Sequence, residues 1–173
     1  MHLSCSLNEK THPCTNLTEY RAYESNLFLL FKQLYCSEPF IEYCSFPVKM
    51  KHYPPCFDER SGFYHLIYEN YQNSENENDR MPNLERAKCI EWPSYIINNC
   101  VKTMTLCSDV LVWENERKTN RNVLLFCQKN DYLVVLGKRK DYFLLITAYP
   151  VQSHTKRKLL KEYIEYKNAK SAT

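Results

Sequence analysis

One histidine, two arginines and two hydroxyl-bearing side chains carry most of the chemistry this sequence can do. His65, in "SGFYHLIYE", titrates near neutral pH and so can take or give a proton. Arg80 and Arg86, in "DRMPNLERAKCIEWP", have guanidinium forks that match phosphate oxygens. Arg86 also falls near the start of an expected helix, whose open N–H groups favour anions. Thr147 and Tyr149 close the apolar run "DYFLLITAY". Side chains alternate along a strand, so these two share one face and Ile146 and Ala148 take the other. Their hydroxyls can hold a phosphate or a base, and Tyr149 can stack on a nucleobase. Each residue also has a plainer use. His65 can be an ordinary core histidine, the arginines can pair with Glu85 or Glu91, and the hydroxyls can pack at a strand end.

The sequence shows no metal-ligand spacing, phosphate loop, dinucleotide fingerprint or nucleophile elbow. Neither metal nor cofactor is therefore expected. The reaction that asks least of such a set is RNA cleavage by the neighbouring ribose 2′-hydroxyl. It needs a base, an acid and cations for the phosphorane charge, and RNA brings its own nucleophile. Further cations gather in the last third, in "GKRK" (137–140) and "HTKRK" (154–158). Lys138, Arg139, His154, Lys156 and Arg157 are accordingly candidate RNA-steering residues. A solvated helix face would use the same cations with no ligand.

The 173 residues suit one domain, read as 16–173, preceded by a flexible polar arm over 1–15. At 44% hydrophobic and 14% aromatic the chain can fill a core, and its net charge of +3 says little by itself. Acid collects at 69–79, "ENYQNSENEND". The 9 cysteines are odd in number and lack Cys-x-x-Cys spacing. Without a signal-like N-terminus they read as reduced thiols of a cytoplasmic protein, with Cys100 and Cys127 as core filler. No stretch suggests a membrane span.

Helical spacing marks 17–35, opened by Asn16 and Glu19 as a capping pair. A short strand is expected within "FPVKMKHY", and 61–69 reads as a strand or a helix entrance. Two helical pieces follow at 83–91, capped by Asn83, and 93–106, begun by Pro93. Four β-rich segments at 109–114, 122–128, 132–138 and 142–149 have short polar connectors, which force antiparallel neighbours. A basic helix over 154–168 closes the chain. The expected fold is α+β, with N-terminal helices packed on a four-stranded antiparallel β-meander and a basic C-terminal helix.

The strings "FYHLIYE", "RMPNLERAKCIEW" leading into "PSYIIN", and "YLVVLGKRKDYFLLITAYPV" occur in that order. Over about 45–168 they resemble the phage-associated members of the superfamily uniting barnase, EndoU, colicin-type and RelE-like ribonucleases. The resemblance implies a metal-independent endoribonuclease used as a toxin-like or phage-conflict effector, with its site on the open face of the sheet. By position, the family's histidine falls on His65, its arginines on Arg80 and Arg86, and its strand hydroxyls on Thr147 and Tyr149. The implied partners are an RNA substrate, such as tRNA or mRNA, and an antitoxin or immunity protein. The sequence departs from the pattern in its extra N-terminal helix and in lacking a second catalytic histidine. A non-catalytic RNA-, ribosome- or protein-binding inhibitor module on the same fold is the competing expectation.

Overall fold

Asn16 opens the first helical segment, as its Oδ1 accepts the Glu19 N–H at 3.0 Å and satisfies a donor the helix leaves open. A 3-10 turn (Leu17–Glu19) leads into α1 (Tyr20–Phe31), which widens into a π turn (Lys32–Cys36). Leu27, Phe31 and Tyr35 recur at helical spacing and are buried. The structure, a computed structural model, describes residues 7, 14, 16–52, 59–70, 79–101, 107–117 and 120–171. Most of the expected 1–15 arm and of the acidic stretch 69–79 lies outside the described residues, as does the end of the expected helix 93–106.

Residues 61–69, open between strand and helix in the sequence, resolve into both. They form most of α2 (Glu59–Ile67) and then enter β3 (Tyr68–Asn70), which pairs antiparallel with β4 (Arg80–Pro82). The helix expected at 83–91 contracts to α3 (Leu84–Ala87), and the next piece becomes α4 (Trp92–Tyr95) with a π turn over Ile96–Val101. Asn83 does cap α3, accepting the Arg86 N–H at 2.9 Å. With four residues and that donor taken, α3 offers no anion-favouring terminus of the kind expected beside Arg86.

The fold is α+β, but its main sheet is larger than the expected meander. β5 (Val110–Arg117), β6 (Asn120–Cys127), β7 (Tyr132–Lys138) and β8 (Phe143–Pro150) do form consecutive antiparallel pairs. β1 (Glu42–Tyr43) and β2 (Phe46–Lys49) extend them into a mixed six-stranded sheet of order β1-β2-β8-β7-β6-β5. β2 runs parallel to β8, at Val48↔Phe143 and Lys49↔Leu144 only. Beyond Leu144, β8 has no strand on its β2 side among the described residues.

Both faces of the sheet are covered. Val123, Leu125, Cys127, Val134 and Leu136 join the core formed with α1, α2 and α4. Leu124, Phe126, Leu133 and Trp113 pack with Leu159 of α5 (Ser153–Ser171). Glu162 fixes α5 there, accepting from Trp113 Nε1 at 3.0 Å and from Asn115 Nδ2 at 2.5 Å. Along this face the β8 residues Leu144, Ile146, Thr147 and Tyr149 are only half-buried, so cover is thinnest on β8. The open sheet face implied by the resemblance is thus confined to that strand.

Ile146 also departs from the alternation read in the sequence. Thr147 pairs with Val135 and Leu145 with Leu136, leaving Ile146 as the extra residue of a bulge. A Cβ placed on Gly137 would meet Ile146 Cδ1 at 3.0 Å. Gly137 follows Leu133 and Val135 at the same parity, so Ile146 turns toward the α5 side rather than lying with Ala148.

Two positions test this packing. A Cβ on Gly62 in α2 would lie 2.9 Å from Met50 Cβ and 3.1 Å from the Lys51 carbonyl. Gly62→Ala is expected to lower unfolding free energy by about 1–3 kcal/mol in denaturant titration. Cys44 and Ser45, the two residues between paired Tyr43 and Phe46, have φ of 51° and 65°. That geometry favours Asn-Gly, so the Cys44→Asn, Ser45→Gly double variant should raise stability by about 1 kcal/mol.

Candidate functional site

α2 and α3 pack against β8, and the paired strands β3 and β4 follow α2 and precede α3. Four of the five residues singled out for chemistry meet there. His65, in the last turn of α2, has its Nδ1 at 2.5 Å from Arg80 Nη1 at the start of β4. A guanidinium can only donate, so Nδ1 accepts and a neutral ring carries its proton on Nε2. The Tyr68 carbonyl accepts from both arginines, from Arg86 Nη1 at 3.0 Å and more loosely from Arg80 Nη2 at 3.4 Å. The Arg86 guanidinium also lies 5.0 Å from the centre of the Tyr149 ring. Arg86 belongs to the helical layer and Tyr149 faces α5, so the contact passes around the edge of β8.

Thr147 is half-buried on β8 opposite Val135, two residues before Tyr149, and carries no hydrogen bond tying it to the cluster. His65 is 6% exposed, far more enclosed than a freely accessible proton shuttle. The plainer pairing proposed for Arg86 is not the one adopted. Glu85 pairs with Lys88 at 2.9 Å instead.

The electrostatics of Arg86 set it apart. Burial, the largest influence, pulls its pKa below the ordinary arginine value, and neighbouring Arg80 acts in the same direction. Glu69 opposes that shift, but its carboxylate is bound at 2.7 Å by Asn83 Nδ2. Among the described residues Arg86 has no carboxylate within ion-pair distance. Its hydrogen bond goes to a neutral carbonyl, which orients the guanidinium without cancelling its charge. A guanidinium held this way, with a second one beside it, favours a bound anion.

The other candidate cations separate along β8. Lys138 and Arg139 sit at the β7–β8 turn, where Lys138 pairs across with Phe143. Tyr149 lies six positions beyond Phe143 along the strand, about 20 Å at the rise of a strand. Lys138 approaches Glu114 at 3.8 Å, and Arg139 donates to the Lys138 carbonyl. His154, Lys156 and Arg157 open α5, at the Tyr149 end of the strand. There Lys156 pairs with Asp131 at 2.6 Å, His154 shares a 3.1 Å hydrogen bond with Thr155, and Arg157 is exposed.

Glu69, the Tyr68 carbonyl and the second role of Asn83 were not legible in the sequence. Asn83 carried a capping signal, but nothing local shows that its amide also reaches Glu69. No three His, Cys, Asp or Glu side chains among the described residues are grouped to hold a metal. No described helix is long and apolar enough to cross a membrane. Cys100 and Cys127 are buried in the core, as expected of filler.

No known family model matches the chain, and no match was found among curated proteins or solved structures. Geometry and chemistry therefore carry the functional reading.

Asn83 gives a structural test of the cluster. Asn83→Ala removes the α3 cap and the tether to Glu69 together. Chemical denaturation should show a loss of about 1–2 kcal/mol.

Proposed function

We propose that the Arg80–Arg86–Tyr149 cluster binds the phosphate backbone of RNA, and that with His65 it makes the chain a metal-independent endoribonuclease. The observation that carries this reading is the half-buried, ion-pair-free charge of Arg86 beside a second guanidinium. Proteins rarely hold such a charge without a contacting carboxylate unless an anion is to meet it. Tyr149 supplies a ring for stacking, and Arg157 at the same end of β8 adds long-range attraction.

A route to chemistry follows from the Arg80–His65 contact. While Arg80 holds Nδ1, a neutral His65 has no lone pair available as a base. A phosphate that draws Arg80 away uncovers Nδ1. The ribose 2′-oxygen then attacks phosphorus as its proton passes to Nδ1. The bond to the 5′-oxygen breaks, leaving a 2′,3′-cyclic phosphate and a 5′-hydroxyl, whose proton comes from solvent. Arg80 and Arg86 balance the charge that builds on the phosphorane oxygens. This reading accords with the ribonuclease resemblance and its toxin-like or phage-conflict setting, in which an antitoxin or immunity protein would be the second partner.

The burial of His65 favours one alternative, a non-catalytic RNA-binding module that uses the same arginines. End-labelled single-stranded RNA incubated with the chain in EDTA distinguishes the two. The nuclease reading expects fragments ending in 2′,3′-cyclic phosphate, with His65→Ala slowing cleavage about 100-fold or more. Thr147→Val and Tyr149→Phe, which remove the hydroxyls that position the scissile nucleotide in this reading, should each slow it ~10-fold with little change in Tm. Intact RNA that is retained, with affinity falling steeply as salt rises, would establish binding alone. RNA neither cut nor held would end both readings, and cleavage that stops in EDTA and returns with magnesium would overturn the side-chain route.

A further inference from the structure

Tyr68 stands between two unlike surroundings. Its carbonyl holds the two arginines, while its hydroxyl donates to Glu24 Oε1 at 2.6 Å. The same oxygen lies 3.4 Å from the Tyr20 hydroxyl. Oε2 accepts from neither tyrosine. Burial and the Glu24 carboxylate both push the Tyr68 phenol well above its ordinary pKa, so it remains a donor.

Glu24 lines a cavity of about 190 Å³ with Ser25, Phe28, Arg60, Phe63 and Tyr64. Drug-sized clefts run about 300–1,000 Å³, so this one suits a single ring system. Three of its six lining residues are aromatic, and Glu24, Ser25 and Arg60 make the rest polar. Phe28 and Phe63 lie 5.2 Å apart, Phe63 and Tyr64 5.6 Å, and Tyr64 meets Tyr68 at 4.8 Å. Arg60 lies 5.6 Å from the Phe28 ring centre. A carboxylate among rings calls for a flat ligand that donates N–H groups. One tyrosine away, the guanidiniums call for an anion.

We propose that this cavity is a nucleobase subsite, forming one nucleotide site with the Arg80–Arg86 phosphate subsite across Tyr68. The inference rests on the anion-site reading above and adds to it a place for the base. A nucleotide unit joins a flat ring bearing N–H donors to a phosphate, which meets both demands at once. Inorganic phosphate has no ring to fill the cavity. An aryl phosphate has the ring and the charge, but no ring N–H for the carboxylate. Stacking in the cavity and hydrogen bonding to Glu24 follow the usual manner in which proteins hold unpaired bases.

Calorimetric titration of the full chain with nucleoside 3′-monophosphates, ribose 5-phosphate and inorganic phosphate tests the two halves separately. Nucleotides should bind ~10-fold or more tightly than ribose 5-phosphate. Glu24→Gln keeps one carbonyl oxygen for the tyrosine hydroxyls and replaces the other oxygen with a donor. It should weaken nucleotides ~10-fold while leaving ribose 5-phosphate unchanged. Tyr64→Leu should act in the same direction through lost stacking. Equal affinity of the wild type for nucleotides and ribose 5-phosphate would overturn the base subsite while leaving the phosphate subsite standing. Nucleotide binding that Arg86→Met does not weaken would overturn the joined site and the anion reading, and no binding of any probe would overturn both subsites.

Discussion

The constraint on which the structure depends is two-sided burial of β6 and β7. Val123 through Cys127 are buried in unbroken succession, alternately toward the N-terminal helices and toward α5. Each such side chain contributes about 1.5–3 kcal/mol when removed from water, and neither face can yield that to solvent. Helices must therefore cover both sides. α1, α2 and α4 supply one layer, and α5, fastened through Glu162, supplies the other. The strands with less to hide fall to the flanks.

The position of β8 follows from this arrangement. It borders buried β7 on one side and touches β2 over only two residue pairs on the other. Its second half is thereby free to face a different kind of neighbour. α2 and α3 pack against β8, and Arg86 of α3 brings a polar side chain to its edge. Arg86 bridges the two environments by reaching from the helical layer to Tyr149 on the α5 side.

Within the cluster, the choice of acceptor matters more than the number of cations. A carboxylate beneath both arginines would hold them more tightly and cancel their charge. The Tyr68 carbonyl instead fixes the direction of Arg86 and leaves its charge available, while Glu69 is diverted to Asn83. Tyr68 serves the neighbouring layer as well, because its hydroxyl ends on Glu24 of α1. Backbone and side chain of one residue thus join α1 to the two arginines, and Arg80 extends the polar network to His65 of α2.

Much of the skeleton was determined by the sequence alone. Helical spacing from Tyr20, the capping residues Asn16 and Asn83, the four consecutive strand-forming segments and the final amphipathic helix are local signals, and local hydrogen bonding and side-chain periodicity suffice to express them. Residue type and the family resemblance singled out His65, Arg80, Arg86, Thr147 and Tyr149, but only the fold shows which of them touch. Other features were decided only by tertiary contact. β2 joins β8 in parallel through a pairing distant in sequence, so the sheet has six strands where local patterns suggested four. The bulge at Ile146 reverses its expected side because register is set jointly with β7. The unalternating runs "NVLLFC" and "YLVVLG" carried the mark of two-sided burial, but only the packed helices show which residue faces which layer. The carbonyl that gathers the arginines left no sequence signal, since every residue has one and the fold alone decides which stands beneath two cations.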